Sequence, residues 1–242
     1  MDFDWAFFVE RIVNPGTPYI NALGRTVSMA VLAMFLGLLI GLVVGFGRLS
    51  RYGLIRSACG FYVWLIRGIP VLVLLVMLFS GMAAAGLFRF TDLEFAGIKL
   101  TASFQAAVIG LAIHEGAYMA EILRSSIMSV DDGQALAARA LGMTPTQVMR
   151  KVVIPQLTRI AIPPTANEYI GMIKYTSLAS VISLQELLTR AGNGVSATFR
   201  FVEYYAGALV YYLVIVSVLM VLQARLEKRY AWISTVKKSG KV

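Results

Sequence analysis

Three ionisable residues stand inside otherwise apolar runs of this chain: Arg67 in LIRGIPVLVLLVMLF, Glu115 in GLAIHEGAYMAEIL and Glu168 in IPPTANEYIGMI. A charge in such a run is costly to hold in hydrocarbon, so it faces protein or a water-filled cavity and is a candidate for function. The three types are complementary. A guanidinium offers a planar fork that matches a carboxylate, and a glutamate accepts hydrogen bonds from an ammonium, so together they can hold a zwitterion. The alternative is an ion pair between helices, with Arg67 matched to one of the glutamates and no ligand involved. Gly171, Tyr175 and Ala179 follow Glu168 on one helical face and leave room beside its carboxylate. Lys174, Thr176 and Ser177 either line the same path or satisfy backbone and partner groups. His114 shares a face with Tyr118 and reads as a buried, hydrogen-bonded histidine rather than a proton relay. Glu121 is placed to pair with Arg124 three residues on.

Other chemistries find little to work with. One cysteine, Cys59, allows no internal disulfide, and one histidine, His114, allows no His-based metal cluster. No Gly-x4-Gly-Lys-Ser/Thr phosphate loop and no His-Glu-x-x-His pair occurs, so the chain is not expected to hydrolyse ATP or to hold a catalytic metal itself.

The elements that must position these residues are membrane helices. With 58% hydrophobic residues, 14% charged residues and a mean hydropathy of +0.74, the composition is too apolar for an ordinary soluble domain. Hydropathy places five spans near 24–46, 58–81, 101–123, 160–183 and 204–224, each long enough for a hydrocarbon core of about 30 Å. Fourteen of the 22 Lys and Arg follow spans one, three and five, Lys237, Lys238 and Lys241 among them, and six lie on the other side. The positive-inside rule then puts the N-terminus outside and the C-terminus in the cytoplasm. The net charge of +9 is mostly this topology signal, and no nucleic-acid partner is expected. At about 1.5 Å per residue, Arg67, Glu115 and Glu168 fall roughly 12–13 Å from the inner boundary, one layer from three helices. Gly37, Gly41 and Gly45 form two overlapping Gly-x3-Gly steps, read as close packing within the subunit. The N-terminal stretch, with Asp2 and Asp4 among Trp5, Phe7, Phe8 and Val9, lacks the basic start of a signal peptide and reads as a short amphipathic helix at the outer interface.

Between spans three and four, residues 131–156 interrupt the apolar pattern with a two-helix signal. QALAARAL at 134–141 is rich in helix formers, and Gly142 suits the left-handed residue that ends a helix. Thr144 then caps a second helix, with Pro145 at its first position and Gln147 completing a capping box, and Pro155 limits its length. The alternative is an amphipathic connector lying on the membrane surface.

This element resembles the cytoplasmic Glu-Ala-Ala loop of ATP-binding cassette importer permeases through Ala137, Ala138, Gly142, Ile154 and Pro155, with Leu136 where the glutamate is expected. The Arg-Gly-x-Pro start at Arg67, the segment with Ala117, Tyr118, Glu121 and Arg124, and the Pro-Gln-x-x-Arg, Pro-Pro, Asn-Glu and Lys-x-Thr-Ser-Leu series at 155–187 are similar to the permeases for polar amino acids. Together they cover most of residues 20–230. That family often places Asp where Tyr175 stands, so the resemblance argues less strongly here for a cationic side chain in the substrate. Glu115, in the neighbouring span, adds a carboxylate of its own.

The resemblance implies an all-α integral membrane permease with five transmembrane helices in one domain over 1–242, in the bacterial inner membrane. It implies a polar amino acid as substrate, with Arg67, Glu115, Glu168, Tyr175, Thr176 and Ser177 as site candidates. Ala137, Ala138, Arg139, Gly142 and Pro155 are the candidates for coupling to the ATPase. The implied partners are a second permease, identical or homologous, two ATPase subunits carrying ATP and Mg, an extracytoplasmic binding protein and the lipid bilayer. The alternative from another class is a proton-coupled carrier in which Glu115, Glu168 and His114 form a relay.

Overall fold

A computed structural model describes residues 3–95 and 97–230. The basic residues expected beyond span five at Lys237, Lys238 and Lys241, and Asp2 at the other end, lie outside the described residues. The chain is mostly helical. α1 (Trp5–Val13) is capped by Asp4, whose side chain accepts from the Phe7 amide, and α2 (Gly16–Arg48) follows it. α3 (Gly53–Gly68) and α4 (Val71–Val76) are joined at Ile69–Pro70, and a π-turn at Met77–Gly81 leads to α5 (Met82–Ala84). α6 (Ala102–Met128) starts at Thr101, whose hydroxyl accepts from the Phe104 amide. α7 (Asp132–Ala140), α8 (Pro145–Val148) and α9 (Ile154–Tyr175) follow, then a 3-10 segment at Thr176–Ile182, α10 (Leu187–Thr198) and α11 (Phe201–Tyr230).

Three helices, α2, α6 and α11, are long and apolar enough to cross a membrane, and the α3–α4 pair makes a fourth if its two halves form one span. The segment expected as one span at 58–81 is bent by 105°. Pro70 explains the break: it has no N–H for a helix bond, and it holds Ile69 in extended backbone, φ −96° and ψ 130°. The expected fourth span, 160–183, is helical as far as Ile182 but falls in α9 and its 3-10 continuation, which ends at Ser183 in the left-handed region.

The molecule is built on the contact between α2 and α6. A Cβ at Gly37 would lie 2.7 Å from the Cβ of Glu115, and one at Gly41 would lie 2.3 Å from that of Met119. At Gly45 it would meet Leu123, so the partners advance by four residues on both helices. The two helices therefore run parallel, and the glycine steps serve packing inside the subunit as their spacing implied. Around this pair Met29, Ala33, Leu75, Leu111, Met172 and Ile173 form the main core, drawn from α2, α4, α6 and α9.

Two elements depart from the all-α, five-helix expectation. Leu93–Phe95 (β1) and Ile98–Leu100 (β2) form an antiparallel hairpin turned by Gly97 at φ +78°, with Glu94 opposite Lys99. A three-residue strand is too short to show alternation against an apolar background. α10 fills the connection before α11, and its start is set by Glu186, which is fully buried. Glu186 accepts from the amides of Leu188 (2.8 Å) and Thr189 (2.6 Å) and from the Tyr212 hydroxyl (2.9 Å), while the Thr26 hydroxyl of α2 accepts from the Leu187 amide at 3.2 Å. One carboxylate thus ties α10 to α11, beside α2. At the same end, α1 is held to α11 by an Asp4–Arg200 ion pair of 2.7 Å and by Arg200 over the Phe7 ring.

Candidate functional site

Parallel packing of α2 and α6 fixes where Glu115 can be. The residue is completely buried with its aliphatic stem against Gly37, and neither carboxylate oxygen has a hydrogen-bond partner within the described residues. Glu168, on α9, is half-buried and within electrostatic reach of both Glu115 and Arg67. Tyr175 closes α9 within reach of both glutamates and of Tyr118. The His114 ring stacks at 4.8 Å from Tyr118 and meets Tyr175 edge-on at 5.5 Å. Two carboxylates and three aromatic rings from α6 and α9 are thereby brought together.

Three expectations change here. Arg67 does not join the layer of Glu115 and Glu168 by contact; its nearest carboxylate is Glu121, at 4.0 Å, and its guanidinium lies 5.1 Å over the Tyr118 ring. Glu121 is six residues past Glu115 on α6, about 9 Å along the axis. Arg67 lies in the last turn of α3, which packs against α6, just before the bend at Ile69–Pro70. His114 is buried, as expected, but its Nδ1 has no hydrogen-bond partner among the described residues. The helical face of Glu168, Gly171 and Tyr175 stops before Ala179, which lies in the 3-10 segment, although space beside Gly171 remains: the nearest atom to a Cβ there is a Tyr175 ring carbon at 3.7 Å. Thr176 and Ser177 donate their hydroxyls to the carbonyls of Ile173 (2.6 Å) and Lys174 (2.7 Å), the backbone-satisfying arrangement.

Sequence reasoning found the Glu121–Arg124 pair, which is present at 3.2 Å, but missed its extent. Glu121 also binds Arg48, the last residue of α2, so three arginines converge on one carboxylate. Glu186 was missed as well. Its only signal was an acid directly preceding the helix-forming run that starts at Leu187.

The 131–156 element is two helices and a glycine turn. Asp131 caps α7 by accepting from the Gly133 amide at 2.8 Å, and Gly142 follows at φ +81°. The capping box is formed in both directions: the Thr144 amide donates to Gln147 Oε1 at 2.9 Å, and the Gln147 amide donates to Thr144 Oγ1 at 3.3 Å. Pro155 does not end the second helix. A π-turn at Met149–Val153 precedes it, and the chain continues helical into α9. Ala138 and Val148 turn inward, while Ala137, Arg139, Gly142 and Pro155 are exposed. Leu136 and Leu141 are 63% and 82% exposed, and Met149 and Ile154 are exposed as well.

Residues 19–232 match the family model described as binding-protein-dependent transport system inner membrane component. A probable amino-acid ABC transporter permease protein of Bacillus subtilis, YckA, is 36% identical over 229 residues, 94% of this chain and 96% of its own length. The glutamine transport system permease protein GlnP of Escherichia coli is 33% identical over 230 residues, covering 95% and 98% of the two chains. A crystal structure of an amino acid ABC transporter with histidines superposes with a TM-score of 0.82 at 33% identity, covering 95% of this chain and all of that one. A helical frame with several apolar spans, no phosphate loop and an exposed helix-turn-helix fits this match: the chain belongs to the family of inner membrane components of binding-protein-dependent transport systems.

Proposed function

We propose that this chain is the membrane permease of an ATP-driven importer for a polar amino acid, with the substrate's cationic group received between Glu115 and Glu168. The observation that carries the site is Glu115, wholly buried with both oxygens unpartnered and a second carboxylate near by. Such a group is costly to leave alone and is balanced when a cation joins it. Tyr175, Tyr118 and His114 supply aromatic faces for that cation, and Thr176 and Ser177 border it with hydroxyls still able to accept. Arg67 is assigned to the Glu121 cluster rather than to the substrate. The amino-acid class is supported by the names of the relatives.

Residues 1–242 act as one transmembrane unit with the N-terminus outside, the C-terminus in the cytoplasm and five crossings. The bent α3–α4 pair counts as one crossing, and α9 with its 3-10 continuation as another. α7 and α8 form the cytoplasmic coupling element, with the exposed apolar side chains of Leu136, Leu141, Met149 and Ile154 available for docking and Ala137, Ala138, Arg139, Gly142 and Pro155 shaping it. Separate subunits hydrolyse ATP in this family; the complete transporter has two permeases, two ATPases holding ATP and Mg, and an extracytoplasmic binding protein. Reconstituted complex assayed for uptake in competition with a panel of amino acids tests the site. Glu115→Gln and Glu168→Gln are each expected to weaken uptake about ten-fold or more, the scale of one charge-assisted hydrogen bond. Unchanged affinity and selectivity in both would remove the pair from the substrate path.

A further inference from the structure

The arginines around Glu121 outnumber their counter-charge. Arg48 and Arg124 each donate a hydrogen bond to the Glu121 carboxylate, while Arg67 stands 4.0 Å away and donates none among the described residues. Three guanidiniums on one carboxylate leave a surplus of two positive charges. Arg48, Arg67 and Glu121, with Gly60, Val63, Trp64 and Gly68, line a cavity of about 420 Å³ that opens to the surface. Neither Gly60 nor Gly68 has any atom within 4 Å of where a Cβ would stand, so this wall is open.

The position matters as much as the charge. Arg48 is the last residue of α2, and Arg124 lies one turn from the end of α6, a helix parallel to it. The cluster therefore lies at the depth where a membrane's apolar core gives way to headgroups. Trp64 is 70% exposed at its rim, and Phe61 and Leu65 next to it leave apolar surface for acyl chains. Aromatic residues concentrate at that depth, and basic pockets between spans take phosphate headgroups.

We propose that this cavity binds the phosphate of an anionic phospholipid, with Arg67 as the free donor, Arg48 as the second, and Glu121 holding both in place. Guanidinium forks suit phosphodiester oxygens, and stacking on Tyr118 fixes the plane of the Arg67 fork. The site adjoins the glutamates assigned to substrate through Tyr118, but its donors, Arg48 and Arg67, are not assigned to substrate, so it stands whether or not those glutamates bind an amino acid.

Native mass spectrometry of the full-length chain, purified in detergent and exposed to phosphatidylglycerol, phosphatidylethanolamine or inorganic phosphate, tests this. Phosphatidylglycerol is expected to be retained selectively. Arg67→Gln should weaken its retention about ten-fold, since one charge-assisted contact is lost, and Arg67→Lys should weaken it less. Among the described residues Arg67 makes no hydrogen bond, so these variants leave the cluster's own bonds intact. Arg56→Gln, which removes an exposed charge from the other end of α3, should leave retention unchanged. Equal retention of phosphatidylethanolamine, an equal loss in Arg56→Gln, or no loss in Arg67→Gln would each overturn the proposal. Saturation by inorganic phosphate with no phospholipid preference would overturn it in favour of a free anion.

Discussion

Replacing Gly41 by alanine adds one methyl group at the centre of the α2–α6 contact, and the geometry says what that methyl meets. It would lie 2.3 Å from the Cβ of Met119 and 3.1 Å from both the Met119 carbonyl carbon and the Ala120 nitrogen. Two carbons rest at about 3.5–4.0 Å, so the shortfall at Met119 is more than 1 Å. The obstacles are a Cβ and backbone, which cannot rotate away as the far end of a side chain can. The helices must separate, and overpacking of this kind costs about 1–3 kcal/mol, here toward the upper end. Alanine also favours a helix over glycine by up to about 1 kcal/mol, which would hide part of the loss. Gly24→Ala supplies the correction: Gly24 is in the same helix with nothing within 4 Å of a Cβ, so it shows the propensity gain alone. The difference between the two variants, measured by reversible unfolding in mixed detergent micelles, is expected to be about 2–3 kcal/mol, with Gly41→Ala the less stable. If the two unfold within about 0.5 kcal/mol of each other, the parallel α2–α6 packing described above is wrong.

Glu186→Ala leaves the buried amides of Leu188 and Thr189 and the Tyr212 hydroxyl without their acceptor. At about 1–3 kcal/mol for an unsatisfied buried group, roughly 2–5 kcal/mol of local stability is lost; faster hydrogen exchange across 187–198 reads this, and unchanged exchange refutes it. Gly142→Trp forces a large side chain into φ +81° on the exposed 131–156 element and, on the proposed coupling role, is expected to lower uptake about ten-fold with insertion intact. Gly142→Asn, which tolerates that conformation, should stay near the parent, and normal uptake in the tryptophan variant would count against docking there. The Phe7 amide first, and then Arg200, hold the Asp4 carboxyl below its ordinary value of 3.8. Since the folded value is depressed, its hold on α1 is present above pH 3.8 and is lost as the pH falls through the lower folded value. Hydrogen exchange in α1 should rise across that window, and somewhat less in Arg200→Gln, where the Phe7 contact remains; identical profiles would remove the ion pair from the account.

What could be read from residues alone was local. The Thr144–Gln147 capping box, the Gly142 turn and the short first helix each depend on near neighbours in the chain, and each is present. The glycine steps of α2 were legible because four-residue spacing is itself a surface. Long-range choices were not legible. Arg67 had three carboxylates within possible reach, and the one it approaches was decided by a 105° bend whose angle no residue pattern encodes. α10 escaped notice because Glu186 looks like a surface acid in the sequence, whereas it is buried and bonded by residues 26 positions away or nearer.

The same geometry gives a route by which a push at the 131–156 element would reach the glutamates on the proposed function. Glu115 is carried by α6, which is locked to α2 through backbone-close contacts at Gly37, Gly41 and Gly45, so it belongs to the part least able to shift. Glu168 and Tyr175 are carried by α9, and α9 is continuous through the π-turn with α8, whose capping box adjoins Gly142. Gln156 also bonds Gln134 of α7 at 2.8 Å, tying the base of α9 to the first helix of the element. On the proposed function, displacement of α7 and α8 would reach Glu168 and Tyr175 through α9, which carries Pro163 and Pro164 between its base and Glu168, and a change in the separation of the two carboxylates would change how well a cation between them is held.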